Sequence, residues 1–269
     1  MYVPTRLGRW YYEEHGSRTR DDAIVLFPSF LTDGGMWDGQ VRALGAIART
    51  VVLDPPGHGH SEVPPPFSLD DNARAVLDAL DALSVKRFVM AGLSWGGMLA
   101  MRLAVIAPDR VRAIALLDTS AAPERMSARV RYRAMLTTHR RVGLPAWVAE
   151  RRVLPLFFSD ETLRENRTLA ENFWRDAVGF PREGVYKSGK AIFQRGDFRD
   201  QLSRVRCPAL VMCGAEDRAT PPDRAREIAS RISGAEMALV EGAGHLSALE
   251  QPERVNASLV PFAQRHVSS

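Results

Sequence analysis

Gly92-Leu93-Ser94-Trp95-Gly96 sets a serine between two glycines, each two residues away. Residues 87–91 before it form a short apolar run that reads as a strand. Residues 95–107 after it are apolar on nearly every side and read as a buried helix stopped by Pro108. A serine on a tight strand-to-helix turn is held in a strained backbone conformation and pushed out over the strand end. There it faces the positive N-terminus of the following helix. Side chains at 92 and 96 would collide with such a turn, which accounts for the two glycines. A serine hydroxyl is a weak nucleophile until a base removes its proton. The pattern therefore calls for a base, and for an acid to orient that base.

Six histidines are available. His245 closes Gly242-Ala243-Gly244-His245 directly after an apolar run at 236–241, where an imidazole can hang over the strand ends. His15 precedes the core, His58 and His60 share an early loop, His139 falls in a helical stretch, and His266 is in the tail; these read as surface or turn residues. Asp217, in Gly214-Ala215-Glu216-Asp217, follows the run at 208–213 and is the first choice for the acid. Asp118, at the end of the run at 111–117, is the main rival, and Glu216 a lesser one. An oxyanion forming on an attacked carbonyl needs two fixed N–H donors. One is the backbone of Trp95. The other comes from the loop Pro28-Ser29-Phe30-Leu31, where Pro28 has no N–H; Phe30 is the choice and Ser29 the reserve.

The elements that position these residues alternate. Apolar runs at 23–28 and 50–53 end at proline or glycine, as buried parallel strands do. Ala73, Val76, Leu77, Leu80 and Leu83 give 69–83 a helical stripe, and Ser68 with Asp71 caps its start. After the strand at 111–117 the rhythm breaks. From 122 to 190 the pattern is helical, and it carries Trp147, Phe157, Phe158, Phe173, Trp174 and Phe180. Strand and helix then alternate again: 208–213, 221–232, 236–241 and 250–266. Alternation of this kind predicts an α/β fold, a mostly parallel sheet with helices on both faces. Residues 1–121 and 191–269 form its core, and 122–190 a helical lid inserted in it. The lid aromatics Trp147, Phe157, Phe158, Phe173 and Trp174 are expected to supply an apolar substrate pocket.

The chain resembles the α/β-hydrolase superfamily over nearly its whole length. The resemblance rests on Asp54-Pro-Pro-Gly57-His-Gly59-His-Ser61, the turn at 92–96, Gly214-Ala-Glu-Asp217 and Gly242-Ala-Gly-His245. Ser29-Phe30-Leu31-Thr32-Asp33 and Met36-Trp37-Asp38-x-Gln40 look like the 3-oxoadipate enol-lactonase branch. The resemblance implies Ser94 as nucleophile, Asp217 as acid, His245 as base, and Phe30 and Trp95 as oxyanion donors. It implies a packing role for Trp37. The chain order serine, acid, histidine is the one this fold uses. Two departures stand out: Pro28-Ser29 where most members have His-Gly, and Pro56 where they have arginine before Gly57. An enol-lactonase also needs a cation for its substrate carboxylate. The arginines at 125, 129, 131, 133, 140 and 141 could offer one, although a solvated helix face is the simpler reading.

These residues imply hydrolysis of a carboxylic ester or lactone through an acyl-enzyme. Perhydrolysis, haloperoxidation or C–C bond hydrolysis could run on the same triad. A small-molecule receptor that keeps the triad is the rival from outside enzymology. An aspartate nucleophile is absent, which argues against an epoxide hydrolase or dehalogenase.

The remaining features are exclusions. No cofactor is expected, because no Gly-x-Gly-x-x-Gly follows a strand, and no metal, because nothing completes a site around His58 and His60. The net charge of +4 is interspersed without a nucleic-acid-binding motif, so nucleic acid is not an expected partner. Cys207 and Cys213 bracket a strand, about 20 Å apart, beyond disulfide reach. The N-terminal stretch has no export signal, and no window of 18 uncharged apolar residues spans a membrane. The expectation is a cytoplasmic protein, monomer or homodimer, acting on a small molecule.

Overall fold

The computed structural model describes residues 1–17 and 22–267. Eight strands form one sheet: β1 (Tyr2–Thr5), β2 (Gly8–His15), β3 (Asp22–Phe27), β4 (Thr50–Leu53), β5 (Arg87–Leu93), β6 (Val111–Leu117), β7 (Ala209–Gly214) and β8 (Glu236–Val240). Their spatial order is β1-β2-β4-β3-β5-β6-β7-β8. From β4 onward neighbours run parallel, whereas β1–β2 and β2–β4 are antiparallel.

The sheet is buried on both faces because its central strands are apolar at every position. In β3, Ala23, Val25 and Phe27 enter one core layer, and Ile24 and Leu26 the other. In β5, Phe88 and Met90 face the first layer while Val89, Ala91 and Leu93 face the second. The first layer is covered by α2 (Leu69–Ala82) and α3 (Trp95–Ile106), the second by α1 (Asp38–Ile47) and α12 (Pro252–Val267). Ser68 and Asp71 cap α2 reciprocally, as the sequence predicts. The N-terminal antiparallel pair is not among the predicted strands. Trp10 and Tyr12 alternate inward from β2, and the ring of Trp10 packs edge-on against Phe27.

Between β6 and β7 the chain is helical: α4 (Met126–Val142), the short α5 (Ala146–Val148) and α6 (Leu154–Phe157) joined by five π-helical residues, α7 (Asp160–Glu165), α8 (Arg167–Gly179) and α9 (Arg182–Phe193). The sequence-based boundary at 190 falls inside α9. The core ranges 1–121 and 191–269 include residues 18–21 and 268–269, which lie outside the described residues. α10 (Pro222–Arg231) follows β7, and α11 (Ser247–Glu250) leads into α12. Both cysteines are free thiols. Among the described residues no helix is long and apolar enough to cross a membrane.

Candidate active site

Ser94 sits between β5 and α3 with φ 52° and ψ −100°, a left-handed conformation that a non-glycine residue adopts only under constraint. The constraint is close backbone packing. A Cβ at Gly96 would lie 2.1 Å from the Phe27 carbonyl oxygen, and a Cβ at Gly92 would lie 2.1 Å from the Gly96 carbonyl carbon. The glycines are therefore required by the approach of strand, turn and helix to one another. The serine side chain is not what a Cβ would meet.

His245 and Asp217 come from the ends of adjacent strands, β8 and β7. His245 Nδ1 donates to Asp217 Oδ2 at 2.9 Å, and both side chains are buried. The carboxylate is held on all sides. Oδ1 accepts from the backbone N–H of Ala219 (2.8 Å) and Thr220 (2.9 Å), and Oδ2 accepts from Thr220 Oγ1 (2.8 Å). Burial disfavours the Asp217 carboxylate. The His245 charge, its hydrogen bond and the Thr220 donors outweigh this and hold it below the usual carboxylate range. Burial likewise works against a charged imidazole, and Asp217 outweighs it, so His245 is held above its ordinary value. With Nδ1 donating to Asp217, Nε2 is the nitrogen left to accept a proton.

Asp118 ends β6 in a left-handed conformation (φ 47°) and does not take the place of Asp217. Its Oδ1 accepts from Gly214 N–H at 2.7 Å, and its Oδ2 accepts from the Ser247 hydroxyl and N–H. It thus ties the end of β7 to the turn after His245. Complete burial, then the nearby Asp217 charge, push its carboxyl above the usual range. Asp118, Cys213 and Asp217 present ligand-type atoms within 4.8 Å of one another. Their oxygens are already engaged as described, so the donor set is a hydrogen-bonded cluster with no open face for an ion. Glu216 points away and accepts from Asp160 N–H.

The loop after β3 turns back through Leu31, also left-handed at φ 63°. Ser29 N–H is directed to Met36 Sδ at 3.2 Å, which leaves Phe30 as the loop amide next along the chain. Trp95 is the first residue of α3, where backbone N–H groups have no intrahelical acceptor. Trp37 is fully buried in the second core layer, and Met36 beside it supports the loop.

One cavity brings Ser94, His245, Thr220, Ser29 and Phe30 together with Phe157 and Trp174 from the helical segment. The other aromatics named from sequence go elsewhere. Phe158 and Phe173 pack edge-to-face within the second core layer. Phe180 packs beside His58. Trp147 is 62% exposed. Helical spacing alone does not reveal which aromatic faces the sheet, the cavity or water. The sequence reading missed Met98, Tyr132, Leu136, His139, Phe193 and the Glu124–Arg195 pair, all of which line the cavity. None of the six arginines at 125–141 lines it; Arg140 pairs with Glu183 and Arg129 donates to backbone carbonyls.

Residues 22–252 match the alpha/beta hydrolase fold family, and the chain belongs to it, in the branch that includes enol-lactonases and esterases. It is 30% identical over 254 residues to 3-oxoadipate enol-lactonase 1 of Acinetobacter baylyi, covering 94% of this chain and 93% of that one. The solved enol-lactonase from Burkholderia xenovorans LB400 superposes with a TM-score of 0.90 at 30% identity, over 97% of this chain and 99% of the other. A thermophilic esterase from Thermogutta terrifontis gives 0.91 at 27% identity, over 100% and 99%.

Proposed function

We propose that the protein hydrolyses an uncharged carboxylic ester or lactone carrying an apolar arm, through an acyl-enzyme on Ser94. The observation that carries this is the Asp217–His245 hydrogen bond of 2.9 Å, held in one cavity with Ser94. In the reaction Ser94 Oγ attacks the substrate carbonyl while its proton passes to His245 Nε2. The N–H groups of Phe30 and Trp95 bind the oxygen as it gains charge. The tetrahedral adduct collapses, the C–O bond to the alcohol breaks, and His245 returns the proton to the departing oxygen. Water, deprotonated by His245, attacks the acyl carbonyl; collapse frees the acid and restores the serine. Asp217 orients the ring and stabilises its protonated form.

The residues between 122 and 190 act in this reading as a lid whose Phe157 and Trp174 enclose the substrate. The apolar wall, with Met98, Leu136, Leu144, Val153 and Leu156, suits an alkyl or aryl arm. Arg195 is the permanent cation among the described lining residues. It is already bound to Glu124 at 3.0 Å and to the carbonyls of Ala122 and Ile192. A substrate carboxylate would have to displace a buried ion pair to use it, at a cost of several kcal/mol. This favours uncharged esters and lactones over the anionic lactones suggested by the names of the relatives.

Labelling by a fluorophosphonate tests the nucleophile. Wild type is expected to label at one site and Ser94→Ala not at all, with ester turnover lower by several orders of magnitude. Equal labelling of the two proteins would remove Ser94 from the role.

A further inference from the structure

His139 lies on α4 and lines the cavity that holds Ser94. Its residue is 7% exposed, and neither ring nitrogen has a hydrogen-bond partner among the described residues. A buried polar group without a partner is costly, and native proteins keep one chiefly where it serves a purpose. The surroundings explain the cost. Leu136, one turn earlier on α4, is apolar, and so are Val185 and Trp174 elsewhere in the wall. Nothing in α4 itself needs a histidine, since the helix is capped at its C-terminus by Gly143 donating its backbone N–H to the His139 carbonyl.

We propose that His139 is a substrate-recognition residue, its imidazole hydrogen-bonding a single uncharged oxygen, a ketone or hydroxyl, on the apolar arm of the ester or lactone. The inference rests on the hydrolase reading above and narrows its substrate class. A neutral imidazole offers one donor and one acceptor, so it can serve either group. Burial, reinforced by Arg182, holds the ring below its ordinary pKa, which keeps it neutral and unsuited to binding a carboxylate. With plain alkyl arms the orphaned nitrogens remain unpaired. With an oxygen at the matching position they become satisfied, so the preference should be strong: sites built to bond a polar group reject analogues that lack it.

Two series of matched esters test this, one with a ketone or hydroxyl moved along the acyl arm and one with it moved along the alcohol arm. The readout is the ratio of kcat/KM for the oxygenated ester to that for its plain counterpart. At one position in one series the wild-type ratio should exceed that of His139→Leu by about tenfold or more. His139→Gln, which keeps a donor and an acceptor, should retain most of the preference. His139→Met serves as the apolar replacement if the leucine variant does not fold. If no position gives the apolar variant a smaller ratio than wild type, the proposal is wrong. Ser94→Ala on the same esters separates the two ideas. A dead serine variant with ratios indifferent to residue 139 overturns only the role of His139. Turnover by Ser94→Ala overturns the underlying reading.

Discussion

Replacing Asp217 with asparagine keeps the shape of the side chain and changes what it can donate. Two orientations are open to the amide. With its oxygen at the Oδ1 position, it still accepts from Ala219 and Thr220 N–H, and its NH2 group faces His245 Nδ1. That nitrogen must then accept, the ring proton moves to Nε2, and the base can no longer take the serine proton. In the flipped orientation the oxygen faces His245 correctly, but the NH2 group confronts two buried backbone donors. Two such groups left unsatisfied cost about 2–6 kcal/mol together, so the unproductive orientation prevails. The serine-protease precedent for a wrong tautomer is a loss of about 10⁴ in kcat, or about 5.4 kcal/mol of barrier. Asp118→Asn is the control. It exchanges one buried acceptor for a donor opposite Ser247, which costs about 1–3 kcal/mol of stability and leaves the contact between His245 and Asp217 in place. The assay is kcat on a p-nitrophenyl ester, with circular dichroism and a melting curve for each variant. The reasoning fails if Asp217→Asn keeps activity within about tenfold of wild type while folded, or if Asp118→Asn loses more.

Two further outcomes follow from the same geometry. The protonated imidazole cannot accept the serine proton, so kcat/KM should fall as pH drops through the His245 pKa. Because that pKa is held above 6.5, chiefly by Asp217 against the effect of burial, the acid limb should bend above pH 6.5, and a bend at or below that value would contradict the assignment. Trp174→Ala should widen the cavity and move the optimum to a longer apolar arm, each added methylene gaining about fourfold, or about 0.8 kcal/mol, until the space is filled; Trp147→Ala, at an exposed position, should leave the chain-length profile where it was, and the reverse result would show that the wall has been misassigned.

The nucleophile turn, its flanking elements and the strand ends bearing Asp217 and His245 were legible because glycine spacing and apolar runs are local signals. The pair β1–β2 was not read, since charged residues of the segment mask the inward alternation of Trp10 and Tyr12. The cavity wall was legible only in part. Phe157 and Phe158 are neighbours of one type, yet one lines the cavity and the other is core, a choice made by tertiary packing. His139 did carry a signal. Tyr132, Met135, Leu136 and His139 fall at i, i+3, i+4 and i+7 on one face of α4, and the arginines between them hide it.

The helical excursion between β6 and β7 begins and ends at nearly the same place. Phe198 N–H donates to the Ala121 carbonyl at 2.9 Å, and Arg195 reaches back to the Ala122 carbonyl and Glu124. The sheet strands on either side, β6 and β7, are already paired with each other. Such a closed detour can be lengthened, shortened or exchanged for another without disturbing the register of the sheet or the turn that carries Ser94. The chemistry and the choice of substrate are thereby written in separable stretches of chain, so that new specificities can be recombined into this scaffold by swapping one contiguous segment.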